Sequence, residues 1–551
     1  MPETSCDILI VGAGLGGCAA ALAACEAGHS VILTEPTVWT GGQLTAQAVP
    51  PDEHPWIESQ GCTGRYRTLR EAIRSLYRRH YPLNQDAMLD PELNPGSGFV
   101  SRLCCEPRAA VTALRGMLMP YESSARLRIW RNTFPRAVDV ENDQVRSVTV
   151  YRRRLDTEIT IHPRFVLDAS ELGDLLPLAG VEYVTGCEAQ RDTGEMHAKP
   201  EAQPLNEQAC TWVVALGYDR DPAANHTIDK PEHYDHWRSF RPDVTPPWPG
   251  PQLSWREPLG DKPAESRVSY LRPEHKGRKQ VGGIPYFDYR KVIDASRWRN
   301  PDHLDDVTLV NWIMNDYTGG SIIDVPSETR RQRLDEAKEL TRCLVYWLQT
   351  EAEDFANDRR GIPRLYPRPD IMGTDDGLAL AVYIREARRI KALKTVTEGD
   401  IGVLQRCGEN PGWGDPGSEN VLRNRPLPVH DSVGVGAYRI DLHITTEGDH
   451  CLDLAAYPFQ IPLGALIPVR LRNLLPACKN IGTTHISNGA FRLHPVEWNI
   501  GESAGLLASF CLERTTEPHK VHASRTLLSD YQKRLADDHI QLEWHGHVHA
   551  I

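Results

Sequence analysis

The chain has 551 residues, 40% hydrophobic and 25% charged, proportions of an ordinary globular protein that is too long for one hydrophobic core. Its 62 basic and 74 acidic side chains leave a net charge of −12 and a pI near 6.0, with no basic run, which excludes an electrostatic fit to nucleic acid or anionic lipid. Thirteen scattered cysteines, an odd number, point to reduced thiols and a cytoplasmic setting rather than a disulfide framework.

In chain order, Asp7-Ile-Leu-Ile-Val-Gly12-Ala-Gly14-Leu-Gly-Gly17 runs an apolar strand into a glycine-rich turn, and the small residues Cys18 to Cys25 continue it as a helix. A bound dinucleotide needs this order. Gly12 permits the tight turn, Gly14 lets the backbone approach a pyrophosphate, and Gly17 allows close helix–strand packing, with Ala13 and Leu15 on the same turn. A second strand, Ser30–Thr34, ends at Glu35, where a carboxylate can accept ribose hydroxyls. Glu35 is followed by a Gly41-Gly42-Gln43 turn rather than a third nicotinamide-type strand, which favours a flavin. No basic leader precedes the apolar run at Ile8, and no later stretch reaches the eighteen or so apolar residues of a bilayer span. A soluble chain is expected.

Helical patterns follow at Tyr66–Tyr81 and Arg108–Met119. Cys104-Cys105 lacks the spacing of a redox pair and reads as buried thiols. Strand-like alternation at Arg126–Trp130, Val145–Arg152 and Glu158–Ile161 reads as a β-meander with a turn at Glu141-Asn-Asp, and the strand Phe165–Asp168 leads into Ala169-Ser-Glu-Leu-Gly173-Asp174. From about residue 195 prolines and tryptophans concentrate, as in Pro246-Pro-Trp-Pro-Gly-Pro251, a loop-rich texture of a substrate domain. A helix is expected over Ser327–Glu351 and another after Gly377, with Arg385, Arg388 and Arg389 on one helix. Gly434-Val-Gly436 lacks a third glycine and is rejected as a second dinucleotide unit. The tail histidines His545, His547 and His549 lack a fourth ligand, so no metal site is assigned.

The C-terminal segment Asn473–His485, then Gly489-Ala-Phe-Arg492-Leu-His494-Pro495 and the small residues Gly501 to Gly505, returns to complete the first nucleotide unit. With Trp39-Thr-Gly-Gly-Gln, Leu167–Asp174, Asn311–Tyr317 and Tyr383–Arg389, it resembles the FAD-dependent oxidoreductases of the glutathione-reductase/succinate-dehydrogenase superfamily, and among them a largely uncharacterised bacterial family. The resemblance implies an α/β fold: a Rossmann-like FAD-binding domain of the ββα type in two parts, 1–195 and 455–551, with an inserted α+β substrate domain at 196–454. It implies FAD contacts from Gly12, Ala13, Gly14, Leu15, Gly17, Glu35, Gly42, Gln43, Ala169, Gly482, Asn499 and Gly501.

The chemistry then belongs to the flavin, with hydride transfer between a small organic substrate and flavin N5 as the expected reaction. Arg492 and a helix starting near Val496 or Glu497 would stabilise charge on the reduced flavin. His485 or His494 would accept a proton. His443, Tyr317, Asn315, Arg385 and Glu386 are further cavity candidates. A flavin monooxygenase and a non-catalytic FAD-binding protein are the alternatives. The Gly-Asp-Ala-Ala-His-like segment of hydroxybenzoate-hydroxylase-type monooxygenases is replaced here by Asn480-Ile-Gly482-Thr-Thr-His485. Substrate and electron acceptor are not named by the sequence, and a homodimer is compatible with it.

Overall fold

The computed structural model describes residues 2–260, 262–272, 283–355, 357–407, 426–546 and 548–551. Strand β1 (Glu3–Val11), helix α1 (Leu15–Glu26) and strand β2 (Val31–Glu35) form the unit expected from the glycine fingerprint. The apolar run of β1 is buried on both faces, as a central parallel strand requires. Ile8 and Ile10 join the core beneath α1, whereas Leu9 and Val11 pack on the opposite face with Val148, Val150 and Val166.

Parallel strands β3 (Leu127–Arg131), β2, β1 and β6 (Thr157–Asp168) lie in that order. The twelve residues of β6 serve two pairings on their far side. Thr157–Ile161 pairs antiparallel with β5 (Gln144–Arg152), itself paired with β4 (Thr133–Glu141); Val166–Asp168 pairs parallel with Leu474–Pro476 from the far end of the chain. The expected strands Glu158–Ile161 and Phe165–Asp168 are therefore one. Pro163, which has no N–H to donate, falls in the gap between the two pairings. Leu127–Arg131 belongs to the parallel sheet rather than to the meander, whose third strand is β4. The turn lies where expected, with Asn142 and Asp143 both at positive φ, 52° and 58°.

A second, antiparallel sheet comprises β7 (Val214–Tyr218), β8 (Lys291–Ile293), β9 (Asp306–Val310) and β10 (Leu365–Pro367), in the order β8-β9-β7-β10. The helices α2 (Gly64–His80), α3 (Pro107–Ser123) and α4 (Ser327–Thr350) coincide with the expected patterns to within a turn at each end. The helix expected after Gly377 does not form. Its backbone pairs with other segments instead: the N–H groups of Ala379, Ala381 and Tyr383 donate to Val213, Ala46 and Thr211 carbonyls at 2.8, 3.0 and 2.8 Å. Arg385, Arg388 and Arg389 consequently share no helix face; all are buried and paired with carboxylates.

Gly434 and Gly436 lie in β11 (Ser432–Gly436), which pairs antiparallel with β13 (Phe459–Pro462) and precedes β12 (Ile440–Leu442), so no second βα nucleotide turn forms there. All thirteen cysteines are unbridged. No helix among the described residues is long and apolar enough to cross a membrane.

The C-terminal segment returns as strand β14 (Leu474–Pro476), then helices α5 (His485–Phe491) and α6 (His494–Arg514). Helix α6 begins two residues earlier than Val496 because Pro495, with fixed φ and no N–H, suits a first turn. Helix α6 crosses α1 at backbone contact. A methyl at Gly501 would stand 2.0 Å from the Gly16 carbonyl oxygen, and one at Gly16 would stand 1.9 Å from that of Ala477. Gly501→Ala should therefore lower stability in urea unfolding by about 1–3 kcal/mol through overpacking. Gly116→Ala, on an exposed face of α3 with nothing within 4 Å, should raise it by up to about 1 kcal/mol. Equal effects would show that the crossing tolerates a methyl.

Candidate functional site

A cleft of about 320 Å³ runs along the carboxyl ends of β1, β2 and β6. Gly12, Ala13, Gly14, Glu35, Gly42 and Ala169 line it together with Ala46, Gln47, Ala381, Val382 and Ile384. Gly12 holds φ of 100°, and a methyl there would sit 2.2 Å from the Ala169 carbonyl oxygen. Gly17 stands against Gly12 itself, 2.0 Å from its carbonyl oxygen to a methyl, so the two glycines set the turn and the helix–strand distance. At Gly14 the nearest neighbours of a methyl are side-chain ends, Glu171 Oε1 and Glu497 Oε1 at 3.1 Å, with the Ala169 carbonyl oxygen at an ordinary 3.8 Å. Glu35 is buried at the end of β2; its Oε2 accepts from Ala13 N–H at 3.3 Å and its Oε1 from Thr37 N–H and Oγ1 at 2.8 and 2.7 Å. Burial pushes this carboxyl up to about 7, against those hydrogen bonds.

Glu171 lines the cleft and pairs with the buried Lys479 behind it, and the second oxygen of Glu171, Oε1, is buried without a partner. Burial opposes the ammonium, and the surrounding acids, Glu171 among them, hold its pKa well above the usual lysine range. A glycine cradle, a carboxylate at the strand end, the amino end of α1 and a buried cation with an incompletely satisfied counter-ion fit a flavin dinucleotide.

Several residues expected at this cofactor lie elsewhere. Gly501 belongs to the α1–α6 crossing described above. Asn499 turns its amide to Val433 O and Ser503 Oγ at 3.2 Å, under Gly434. Gly482 packs on Ala392 and the Lys394 carbonyl, and the Leu15 side chain is in the core. Gln43 directs its amide to Glu497 Oε2 at 2.6 Å and to the Arg492 carbonyl at 3.2 Å, bracing the start of α6 rather than lining the cleft.

The two histidines expected as bases are corrected by their partners. His494 accepts at Nδ1 from Asp52 N–H at 3.2 Å and donates from Nε2 to Val49 O at 3.1 Å. Both nitrogens are used, and burial lowers its pKa to about 3, so it holds the 49–52 loop as a neutral ring. His485 faces Glu386, with Nδ1 3.0 Å from both carboxylate oxygens. Although burial opposes charge, Glu386 raises its pKa well above the ordinary value, which makes it an imidazolium and a poor proton acceptor. Asn315 bonds Trp312 N–H, Val310 O and Thr341 Oγ1, and Tyr317 bonds Glu336; both are structural. Arg492 is buried, not a surface charge: it donates to Tyr383 OH at 2.8 Å and to Asp441 O at 3.1 Å.

His443 has the arrangement that the other two lack. Its Nδ1 lies 2.5 Å from Asp316 Oδ2 at the wall of a second cavity of about 300 Å³. Burial raises the Asp316 carboxyl, but Arg385 at 3.1 Å and His443 outweigh it and keep the group below the usual range. An ionised Asp316 can only accept, so Nδ1 carries the proton. Nε2 has no hydrogen-bond partner among the described residues, and Asp441 Oδ2 lies 4.0 Å from it. Tyr383 and Arg492 stand between this cavity and the cleft: the neighbours of Tyr383, Val382 and Ile384, line the cleft, while Arg492 bonds Asp441 of the cavity wall. Asp316 and the approach of residues 316 and 443 carry no local sequence signal, because 127 residues separate them.

Two measurements check the cleft. Gly14→Val should keep the fold by circular dichroism yet lower FAD affinity at least tenfold, whereas Gly12→Ala, forced against backbone at positive φ, should destabilise the FAD-free protein. Retention of full FAD occupancy by Gly14→Val would refute the assignment. A carboxyl raised by folding holds its proton more tightly in the folded chain, so its stabilising contribution is full below about pH 4.5 and lost as pH rises through about 7. For Glu35 that is at most about 3 kcal/mol. Urea midpoints of FAD-stripped protein should fall from pH 5 to pH 8, and less steeply in Glu35→Gln.

The chain matches the model of the FAD dependent oxidoreductase family over residues 7–535. FAD-dependent monooxygenases of Nectria sp and Arthrinium sp are 41% and 43% identical to it over 54 residues, 10% of this chain and only 13% of theirs. Among solved structures, a mutant of E. coli quinol fumarate reductase FrdA is 11% identical, over 98% of this chain and 74% of that one, with a TM-score of 0.31. A geranylgeranyl bacteriochlorophyll reductase-like protein of Thermoplasma acidophilum is 10% identical, over 98% and 85%, also with a TM-score of 0.31. Likenesses at these scores carry no argument about the reaction. The family match is different in kind, because it extends over nearly the whole chain: this protein belongs to the FAD-dependent oxidoreductases and takes FAD as its cofactor.

Proposed function

We propose that the enzyme is of the dehydrogenase or oxidase type and oxidises a small organic molecule at carbon. FAD, when bound, supplies the two-electron chemistry by accepting a hydride at N5. Gly12, Gly14, Glu35, Gly42 and Ala169 would hold it, the glycines by close backbone approach and Glu35 by accepting ribose hydroxyls, while Lys479 would offset the charge of Glu171 in the cleft wall. Arg492 would place positive charge beside the flavin end of the cleft, where Tyr383 fixes its direction.

The observation that carries this reading is the His443–Asp316 dyad at the cavity wall. Loss of a hydride from a C–OH or C–NH group requires that a proton also leave. His443 offers Nε2 for that proton, and Asp316 orients the ring and stabilises the imidazolium that forms. Arg385 and Thr211, which bond Asp316, hold the carboxylate in place. The electron acceptor stays open, and oxygen, a quinone and a carrier protein are all compatible with the site.

The monooxygenase reading rests on the short matches to the two fungal enzymes, and the experiment separates it. Purified holoenzyme, mixed anaerobically with candidate metabolites, should bleach at the flavin bands without any nicotinamide. NADH or NADPH should bleach it slowly, since the glycine-rich strand–turn–helix is committed to FAD and Gly434–Gly436 forms no such unit. Rapid stoichiometric bleaching by either nicotinamide, with none by a metabolite, would favour the monooxygenase. With an active reductant in hand, His443→Asn should slow flavin reduction by about 10²–10⁴-fold while FAD stays bound, and Asp316→Asn should slow it at least tenfold. Unchanged reduction by His443→Asn would remove the dyad from the mechanism.

A further inference from the structure

Arg290, the residue before β8, is 8% exposed and lines the same cavity as His443. A guanidinium has five N–H donors. The Arg290 side chain donates no hydrogen bond among the described residues, and its Nε and Nη1 are buried without a partner. Its one ion pair is long, 3.7 Å from Nη1 to Asp52 Oδ1, and that oxygen is itself buried and unpartnered. Burial pushes the Asp52 carboxyl above its usual range in spite of Arg290 and Arg492, as expected where a charge is only partly compensated.

Among the described residues, the other arginines of this wall are paired with carboxylates. Arg267 bonds Glu257 at 2.6 Å and Arg439 bonds Asp453. Among the described residues of the wall, Arg290 is thus the arginine whose planar fork is open. That fork matches an acceptor with two oxygens in a plane. With Glu257, Asp441 and Asp453 on the same wall, one open positive charge suits a monoanion and disfavours a dianion such as phosphate. The cavity, about 300 Å³, is at the small end of ligand pockets, and the His443 dyad opens onto it.

We propose that this cavity takes a small organic carboxylate, with Arg290 receiving the carboxylate group and His443 facing the neighbouring carbon. The assignment rests on the reading that this cavity serves the FAD. Asp52 holds Arg290 in the free enzyme and competes with the ligand for it. The residue is legible only in the fold, since Arg290 lies 238 positions from Asp52 and 153 from His443 in an unremarked stretch of sequence.

The test uses holoenzyme titrated with sodium glycolate and sodium benzoate, against glycolamide, benzamide and inorganic phosphate, read by perturbation of the flavin spectrum and by melting temperature. At least one carboxylate should perturb the spectrum and raise the melting temperature, while the matching amide and phosphate should do neither at tenfold higher concentration. Arg290→Met should weaken carboxylate binding at least tenfold with FAD content unchanged. Arg290→Lys, which keeps the charge and loses the fork, should weaken it less and covers the case in which the methionine variant fails to fold. Asp52→Asn should tighten binding severalfold, an effect that a purely structural pair would not produce. Equal responses to amides or phosphate, or wild-type affinity in both Arg290 variants, would overturn the proposal. Arg290-dependent binding without bleaching by any hydroxy or amino acid would uphold the carboxylate site and count against carbon oxidation. Bleaching by a neutral alcohol at wild-type rate in Arg290→Met would overturn the site and leave carbon oxidation standing.

Discussion

The two ends of the chain meet at glycines, and every part of the proposed chemistry depends on that contact. Gly16 and Gly501 face each other across α1 and α6 with no room for a methyl on either, and Ala477 closes against Gly16 from the end of β14. Helices normally pack with axes 8–10 Å apart because side chains intervene. Small residues remove that spacer, so the first nucleotide unit lies directly beside the start of α6, where Gly16 N–H donates to Glu497 Oε1 at 3.2 Å. Without this approach β14 would not extend the sheet beside β6, and Lys479 would not reach Glu171 of the cleft wall.

Charge is then organised by burial. Arg385, Arg388 and Arg389 follow one another along an extended segment and are nearly inaccessible, and each reaches a carboxylate from a different stretch of chain: Asp316, Asp324 and Glu188. Ion pairs of this kind add little net stability over apolar packing, but removing one partner typically costs about 3–5 kcal/mol. Their value here is positional. Arg385 keeps Asp316 ionised, and an ionised Asp316 determines which nitrogen of His443 carries the proton. Arg389, with His485, does the same for Glu386, yet the outcome there is a closed imidazolium–carboxylate pair rather than an available base.

Three histidines illustrate how environment assigns roles to one residue type. His494 spends both nitrogens on backbone groups of the 49–52 loop and stays neutral. His485 is charged by a carboxylate it contacts through both oxygens. His443 has one nitrogen committed to Asp316 and the other without a hydrogen-bond partner at a cavity wall. Side-chain identity is equal in all three; hydrogen-bond partners and access decide between them.

The nucleotide unit was legible in the sequence because its determinants are local: a strand, three glycines, a helix and an acid within about thirty residues. So were α2, α3 and α4, whose apolar stripes repeat with the helical period, and the hairpin turn at Asn142-Asp143. Pairing between distant segments was not legible. The stretch after Gly377 reads as helix by composition, yet its N–H groups are taken by Val213, Ala46 and Thr211, and tertiary hydrogen bonds outweigh a weak local preference. The proximity of His485 and His494 to the flavin motif made them natural candidates, but a base is defined by an open nitrogen and an ionised neighbour, and neither property is encoded next to the histidine. Asp316, Arg290 and Asp52 meet the chemistry only across 100 residues or more, so their roles belong to the tertiary structure, which alone determines which buried charges are compensated and which are left open to a ligand.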